Sequence, residues 1–439
     1  MRDMIRTVNI KGPDKRLYPW PTFILIALCC LAILRLFACS SNSTNDESQS
    51  DARGYNASLL IAQVARDVIS PSYQNAKAAA SALSDAVQAL PPKIAAADQD
   101  ALTLVDQRFK AMVTAWQGVE VMQLGPTGSK NDVIGGQDLR DEIYSWPTTN
   151  YCLIDQVLVN QSYDDTDFLS ESLVNVRGLD ALEYVLYNDS TENQCDARAE
   201  INNGAAASTQ WSSLSIDELN ERRRGYAKIL ASDLSQRVSA LAELWSADGG
   251  RAYDDLLAAG DPGSSYNNVT TALNDLTHAL FYIEEVTKDK KLGEPGGLCV
   301  ACQNPTWEKG LEFPWAKLAA ESIAANLRGV AALYFGQAFD QVDRTARLSS
   351  TQAEGNNFDA TLRRMGDVQL ADDMVNAIGK AIDVVDNIPR PVYDNVIMQD
   401  GSDLETMYNA VKDLADLLKG DFATVLLLEV PAEAASDAD

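Results

Sequence analysis

Apolar residues recur at helical spacing through most of the chain, and this periodicity limits the fold more than any other feature of the sequence. It is clearest between Ser215 and Trp245. The apolar residues there recur every three, four or seven positions: Leu219, Tyr226, Leu230, Leu234, Val238, Leu241 and Trp245. Ser215 and Glu218 form a capping-box pair, and Gly249-Gly250 ends the helix. Because no stretch alternates convincingly like a strand, we predict an all-α fold.

The same periodicity predicts further helices along the chain. They span residues 55–69, 72–90, 97–122, 176–187, 266–291, 315–335, 370–386 and 403–419. Pro71 is expected to kink or divide the first pair, because proline lacks the N–H that a helix interior needs. Long helices joined by loops are typical of helical bundles.

A stretch rich in Gly, Asp and Ser, residues 247–265, separates two halves of similar size. We therefore predict two packed helical-bundle domains, residues 55–246 and 266–430, joined by this linker. An old internal duplication is a further hypothesis, although residue-level repeats are weak. Residues 431–439 are predicted to form an acidic tail.

The N-terminal residues have the pattern of a secretion signal. A basic start precedes an uninterrupted apolar run, residues 23–34, which is too short to span a bilayer comfortably. Ala38-Cys39 then resembles a bacterial lipobox, in which the cysteine is acylated and becomes the mature N-terminus. We predict a lipoprotein signal peptide at residues 1–38 and a flexible tether at 39–54. An ordinary signal peptide or an uncleaved anchor is the alternative.

The residues after Cys39 bear on localisation. Ser40-Ser41, with no aspartate next to the cysteine, favour sorting to the outer membrane. We expect a lipid-anchored protein of the cell envelope, on the periplasmic face of the outer membrane or on the cell surface.

Four cysteines remain in the mature chain besides the acylated Cys39. They are Cys152, Cys195, Cys299 and Cys302. An even number in an oxidising compartment favours two disulfides, and we predict that Cys152 pairs with Cys195 and Cys299 with Cys302. Redox or metal chemistry at the Cys299-x-x-Cys302 motif is the alternative. No strand pattern precedes that motif, and the sequence has no second one.

The chain is strongly acidic, with a formal net charge of −27. Such a surface repels nucleic acid and anionic lipid headgroups and attracts cations. Basic residues are also too sparse for nucleic-acid binding, so we expect no nucleic-acid partner. The simpler interpretation of the charge is that it keeps a secreted protein soluble.

Asp180 and Glu183 are the strongest candidates for chemistry. They are three residues apart in a predicted helix and therefore share a face. Two such carboxylates suit a hard cation, which prefers oxygen ligands. Unless a cation or a base intervenes they repel each other, so one of the two pKa values should rise. Acidic pairs at this spacing are also common on solvated helix faces, so the pair alone does not decide between the two interpretations.

Residues 177–187, RGLDALEYVLY, resemble the signature of imelysin-like proteins, G-x-H-x-x-E. Gly178 and Glu183 match it, whereas Asp180 stands at the histidine position. Further similar segments follow in order between about residues 58 and 425. They are residues 111–126, the segment 136–155 with its Trp-Pro, residues 291–295 with Glu312, and residues 326–336.

This resemblance implies an all-helical envelope protein with two packed bundle domains, often regulated by iron. It also implies that the signature helix lies at a cleft near the domain interface. The founding name of the family came from a claimed metallopeptidase, and a related branch serves as the periplasmic component of iron transport.

Zinc peptidase chemistry finds little support in the residues. A catalytic zinc site usually has three protein ligands with histidine prominent, and this chain has one histidine, His278. An H-E-x-x-H pair is therefore impossible, and the sequence has neither a G-x-S-x-G elbow nor a phosphate-binding loop. Oxygen ligands suit iron, as Fe3+ or Fe2+, better than zinc, and calcium remains a candidate.

Two long loops, residues 125–147 and 293–314, carry further candidates for a binding site. We predict that Asp180 and Glu183 bind the metal. The predicted ligand-binding cleft is lined by Arg140, Trp146, Tyr184 and Glu312. Arg140 is also suited to hold a carboxylate or a chelator with two hydrogen bonds. Surface decoration is the alternative for the loops.

Three functional hypotheses follow. The leading one is an envelope protein of iron acquisition that binds iron or an iron-bearing ligand at the signature helix. The second is a non-catalytic interaction protein that partners another envelope redox or receptor component. The third and least favoured is a divergent metallopeptidase.

Overall fold

Every regular element that the structure describes is helical. The computed structural model describes residues 55–95, 98–204, 210–299, 302, 305–306, 310–348, 350, 354–389, 391–431 and 434–435. These residues contain no strand, which confirms the all-α prediction. The predicted signal peptide, Cys39 and the tether lie outside the described residues. Of the predicted acidic tail only three residues are described, and Ala434 among them is buried.

Four helices form the core of the first half. They are α1 (Ser70–Gln88), α2 (Gln99–Glu120), α3 (Gly178–Tyr187) and α4 (Ile216–Leu244). α1 packs against α2 and α4, and α4 also covers α3. The predicted capping box is present at the start of α4, where Ser215 and Glu218 each accept a hydrogen bond from the other's backbone N–H.

Pro71 does not end the first helix. The helix Ala57–Val64 continues through a π-helical turn, Ala65–Ile69, directly into α1. Proline lacks a donor, and its ring crowds the carbonyl one turn earlier. The wider π turn falls in that place, so the chain stays helical past the proline.

Four longer helices organise the second half. They are α5 (Val269–His278), α6 (Ala319–Phe335), α7 (Val368–Asp386) and α8 (Ser402–Leu417). α5 runs on through a 3-10 turn, Ala279–Phe281, into a π-helical segment, Ile283–Gly293. α6 and α8 pack against this π-helical segment and against α7.

Helices α2 and α6 join the two halves. They cross where Gly118 faces Gly329, and a Cβ on Gly329 would lie 2.4 Å from the Gly118 carbonyl oxygen. This close crossing brings the C-terminal end of α2, with Gln117 and Glu120, into the interior between the halves. The domain boundaries at residues 246 and 266 and the internal duplication stay predictions.

Shorter elements fill the connections. The short α-helices are Leu139–Ile143, Tyr151–Asn160, Phe168–Glu171, Glu200–Asn203, Arg251–Leu257, Glu294–Gly296, Arg344–Arg347, Phe358–Met365, Val392–Met398 and Ala423–Leu426. Further 3-10 turns are Gly125–Thr127, Ser162–Asp164, Val174–Val176, Trp211–Ser213 and Phe339–Gln341, and a last π turn is Leu418–Phe422. Within the described part of the chain, no helix combines the length and apolar character needed to cross a membrane.

Two disulfides link the four cysteines that lie among the described residues. Cys152 on the helix Tyr151–Asn160 pairs with Cys195, with Cα atoms 4.6 Å apart, and Cys299 pairs with Cys302 within the second long loop. The pairs are those predicted from the sequence.

Candidate functional site

The N-terminus of α3, hereafter the signature helix, is fixed by its first residue. Gly178 has a φ of +82°, in the left-handed region that favours glycine. A Cβ at this position would lie 2.6 Å from the carbonyl oxygen of Ile143. Glycine therefore allows the first long loop, residues 125–147, to rest directly on the start of the signature helix.

Asp180 ties that loop to the signature helix. Its Oδ2 accepts hydrogen bonds from the backbone N–H groups of Ser145, at 2.9 Å, and Trp146, at 3.1 Å. The carboxyl group is buried, and the loop backbone supplies its donors.

Glu183 does the same for the second long loop, residues 293–314. Its Oε1 accepts hydrogen bonds from the backbone N–H groups of Trp315, at 2.9 Å, and Ala316, at 2.8 Å. These two residues directly follow the loop. One turn of the signature helix therefore holds both long loops, which explains how segments far apart in sequence meet at this place.

Glu312 and Lys291 form a buried ion pair beside this turn. The Nζ of Lys291 lies 2.9 Å from the Oε1 of Glu312, and both side chains are 1% exposed. Tyr144 and Ser322 donate their hydroxyl hydrogens to Glu312. Lys291 also donates to the side-chain oxygens of Gln117, Ser322 and Asn326, at 2.7–3.0 Å.

Arg140 and Glu120 form a second ion pair. The Nε of Arg140 donates to the Oε1 of Glu120 at 2.8 Å, and Arg140 also donates to the Trp146 carbonyl oxygen at 3.0 Å. Tyr282 donates to the same Oε1 at 3.3 Å. The Oε2 of Glu120 is buried and has no hydrogen-bond partner among the described residues.

A cleft of about 540 Å³ opens beside this second pair. Its lining residues are Gln123, Thr127, Ser129, Asn131, Asp138, Arg140, Asp141, Trp146, Pro147, Tyr282, Glu285, Val286 and Lys290. Of the predicted cleft residues, Arg140 and Trp146 line it. Glu312 and Tyr184 are buried elsewhere, and Tyr184 donates its hydroxyl hydrogen to Asp155 at 2.9 Å.

Glu120, Lys291 and Gln117 are missing from the predicted site residues. Glu120 carried a usable signal, since a charged residue between the apolar Val119 and Val121 at a helix end is unusual unless it is paired inside. Lys291 carried none, because it lies in a lysine-rich run that looks like an exposed helix face.

We name the six ionisable side chains Glu120, Arg140, Asp180, Glu183, Lys291 and Glu312 the buried charge cluster. Burial raises the pKa of Asp180 to about 7, against the opposing effect of its two backbone hydrogen bonds. Burial likewise raises the pKa of Glu183 well above its usual value, and Asp180 and Glu312 add to that rise. Burial lowers the pKa of Lys291, which Glu312 partly offsets. The sequence predicted a raised carboxyl pKa from repulsion between the two neighbouring acids, whereas the main cause in the structure is burial.

These shifts make stability depend on pH. Because the folded-state pKa of Asp180 lies above its unfolded value, its stabilising contribution is present at low pH and is lost as pH rises toward about 7. We expect the free energy of unfolding to fall over this range, by at most about 1.4 kcal/mol per pH unit for this one group. Asp180→Asn should flatten the profile measured by chemical denaturation, and an unchanged slope in that variant would contradict the assignment.

Asp180 and Glu183 offer carboxylate oxygens that could bind a metal ion, but only a few. The hydrogen bonds of Asp180 use Oδ2 and those of Glu183 use Oε1, so Oδ1 and Oε2 make none within the described part of the chain. The described residues contain no group of three or more His, Cys, Asp or Glu side chains placed to hold a metal ion. His278 lies exposed at the end of α5, outside the buried charge cluster.

Comparison with known proteins identifies the family. The family model described as Imelysin matches residues 69–418, which include both long loops and the signature helix. The chain belongs to the imelysin family. No curated protein matches it.

Solved structures share the imelysin fold of this chain. One is described as an iron-regulated protein A precursor from Parabacteroides distasonis, with 17% identity and a TM-score of 0.61 over 87% of this chain and 96% of that one. Another is an imelysin-like protein from Psychrobacter arcticum, with 15% identity and a TM-score of 0.56 over 85% of this chain and 96% of that one. At this identity the likeness concerns the fold.

Proposed function

We propose that this imelysin-family member is an envelope protein of iron acquisition, anchored through a lipid on Cys39, that binds iron or an iron-bearing ligand at the signature helix. The anchor would hold it on the periplasmic face of the outer membrane or on the cell surface. The iron is cargo rather than a catalytic group in this proposal.

The charge balance of the buried charge cluster carries the proposal. Four carboxylates, those of Glu120, Asp180, Glu183 and Glu312, face two cationic side chains, those of Arg140 and Lys291. Two negative charges are therefore left without a counter-charge in the interior, where an unpaired charge is costly. Protons meet this need when no metal is bound, as the raised pKa values of Asp180 and Glu183 indicate. A cation would meet it equally well.

The available donors favour iron that brings ligands of its own. The Oδ1 of Asp180 and the Oε2 of Glu183 are hard oxygen donors, which suit Fe3+ or Fe2+ and also calcium. Two carboxylates supply too few ligands for iron by themselves, and no larger group of metal-binding side chains is present among the described residues. Water or a small chelator would supply the remaining ligands.

Equilibrium binding tests the proposal. The purified protein is offered ferrous iron under anaerobic conditions, ferric citrate, or calcium, and the bound metal is measured after separation. We expect saturable iron binding that weakens at least about tenfold in the Asp180→Asn/Glu183→Gln variant, because neutral amides remove the two charges that attract the cation.

A matched control uses two exposed acids at the same spacing. Asp413 and Asp416 lie three residues apart on α8 and are 58% and 51% exposed. The Asp413→Asn/Asp416→Asn variant should bind iron as the unchanged protein does. Equal loss in both variants would mean that net charge alone attracts the metal, and binding of calcium but not iron would remove iron from the proposal.

A second function is favoured by the hydrogen bonds themselves. Asp180 and Glu183 each accept hydrogen bonds from two backbone N–H groups. Their whole role would then be to hold the two long loops of a non-catalytic interaction protein in place. In that case neither metal form binds, and a redox or receptor protein of the envelope co-purifies from solubilised membranes. A protein that binds iron and purifies alone would argue against this alternative.

A further inference from the structure

We infer that the cleft beside Trp146 is a subsite for a small carboxylate-bearing anion, which Arg140 and Lys290 hold. In one respect this rests on the proposed function, since the anion would be the chelator part of the iron-bearing ligand. The anion subsite itself is built from residues outside the acidic pair and has its own test.

Arg140 is fixed in place and still has donors to offer. Its Nε–H donates to Glu120, one Nη1–H donates to Asp141, and one Nη2–H donates to the Trp146 carbonyl oxygen. A guanidinium group has five N–H donors, so two make no hydrogen bond within the described part of the chain. The side chain is 16% exposed and lines the cleft, and its guanidinium lies 5.1 Å from the centre of the Tyr144 ring. A rigid guanidinium with two unused donors is suited to an oxyanion.

The other charges of the cleft do not oppose an anion as strongly as their number suggests. Asp138 is paired with Lys130 at 2.9 Å, whereas Asp141, 3.0 Å from Arg140, shares that arginine with Glu120. Lys290 lines the cleft, is exposed, and makes no ion pair within the described part of the chain. Glu285 adds a negative charge to the lining of the cleft. A bound carboxylate would therefore depend on the donors of Lys290 and Arg140.

Trp146 connects the cleft to the acidic pair. Its backbone N–H binds Asp180, its carbonyl oxygen binds Arg140, and the residue lines the cleft. A cation at Asp180 and Glu183 would place positive charge behind the cleft and so favour an anion in it. Coupling of this kind is reciprocal, so the anion would equally favour the cation.

Succinate is a suitable probe, because it carries two carboxylates and chelates iron only weakly. Succinate is titrated calorimetrically into the full-length protein, first without iron and then with ferrous iron. We expect binding in both cases and about tenfold tighter binding when iron is present. Arg140→Lys keeps the charge beside Glu120 but removes the planar pair of donors, so it should weaken succinate binding about tenfold.

Two further variants keep the test decisive if Arg140→Lys disturbs folding. Lys290→Gln alters an exposed side chain of the cleft and should weaken succinate binding several-fold, whereas Lys93→Gln, an exposed lysine outside the cleft, should leave it unchanged. No succinate binding in a protein that binds iron would overturn the anion subsite and leave the proposed function standing. Succinate binding that depends on Lys290 in a protein that binds no iron would support the subsite and overturn the proposed function. Equal affinity for sulfate would contradict selection of carboxylates.

Discussion

Replacing Lys291 with methionine is expected to lower the free energy of unfolding by about 3 to 5 kcal/mol. Lys291 is the counter-charge of the buried Glu312, at 2.9 Å, and it also satisfies the side-chain oxygens of Gln117 and Asn326. Methionine fills a similar volume but leaves the buried carboxylate of Glu312 without its counter-charge. Chemical denaturation at neutral pH measures the loss.

A double variant and a surface control give this result its meaning. Adding Glu312→Leu to Lys291→Met removes the charge left behind, so most of the lost stability should return. Lys380→Met removes a lysine of the surface pair with Asp413, 58% exposed, and should cost at most about 1 kcal/mol. A cost as small as this for Lys291→Met would show that its pair with Glu312 does not stabilise the interior.

Replacing Gly178 with alanine is expected to cost about 3 kcal/mol. Two effects combine at this position. Its φ of +82° is unfavourable for a residue with a side chain, and the new Cβ would stand 2.6 Å from the Ile143 carbonyl oxygen. Since the clash is with backbone, relief requires the first long loop to move away from the signature helix.

Gly249 separates the two effects. It has a nearly equal φ of +86°, and no atom lies within 4 Å of a Cβ built there. Gly249→Ala should therefore show the backbone cost alone, about 1 to 2 kcal/mol. If the two alanine variants are equally destabilised, the close approach of Ile143 to the signature helix has no energetic weight. Denaturation curves of the two proteins under one condition make the comparison.

The helices were predictable because their signals are local. α4 has an apolar repeat and a capping box, both legible in the sequence, and its observed bounds, Ile216–Leu244, fall within one residue of the predicted ones. α7, Val368–Asp386, begins two residues before its predicted start and ends as predicted. Interruptions were less visible. The segment predicted as one helix over residues 266–291 changes from α-helix to 3-10 and then π-helix before it ends at Gly293.

The candidate site was predictable only in part, because its geometry depends on contacts between distant segments. The pair Asp180 and Glu183 was visible from spacing, but the backbone donors they hold come from residues 145–146 and 315–316. Nothing in the local sequence indicates that those backbone N–H groups point toward the two carboxylates. Lys291 shows the same limit, since burial of a lysine is set by its partner Glu312 on another segment.

Compared with the G-x-H-x-x-E pattern that residues 177–187 resemble, this chain has Asp180 where the pattern has histidine. An aspartate there adds a negative charge that a neutral imidazole would not, and the buried charge cluster then lacks two counter-charges rather than one. The requirement for a cation or for protons is therefore larger with aspartate at this position.

The shift of the unfolding midpoint on adding iron tests the central claim most directly, because a ligand that binds only the folded protein stabilises it. Unfolding is followed with and without ferrous iron under anaerobic conditions, in the unchanged protein and in Asp180→Asn/Glu183→Gln. The variant should be at least as stable as the unchanged protein without metal, since its amides carry no buried charge, and iron should stabilise the unchanged protein alone. An equal iron-dependent shift in both proteins, or none in either, would contradict iron binding at the signature helix.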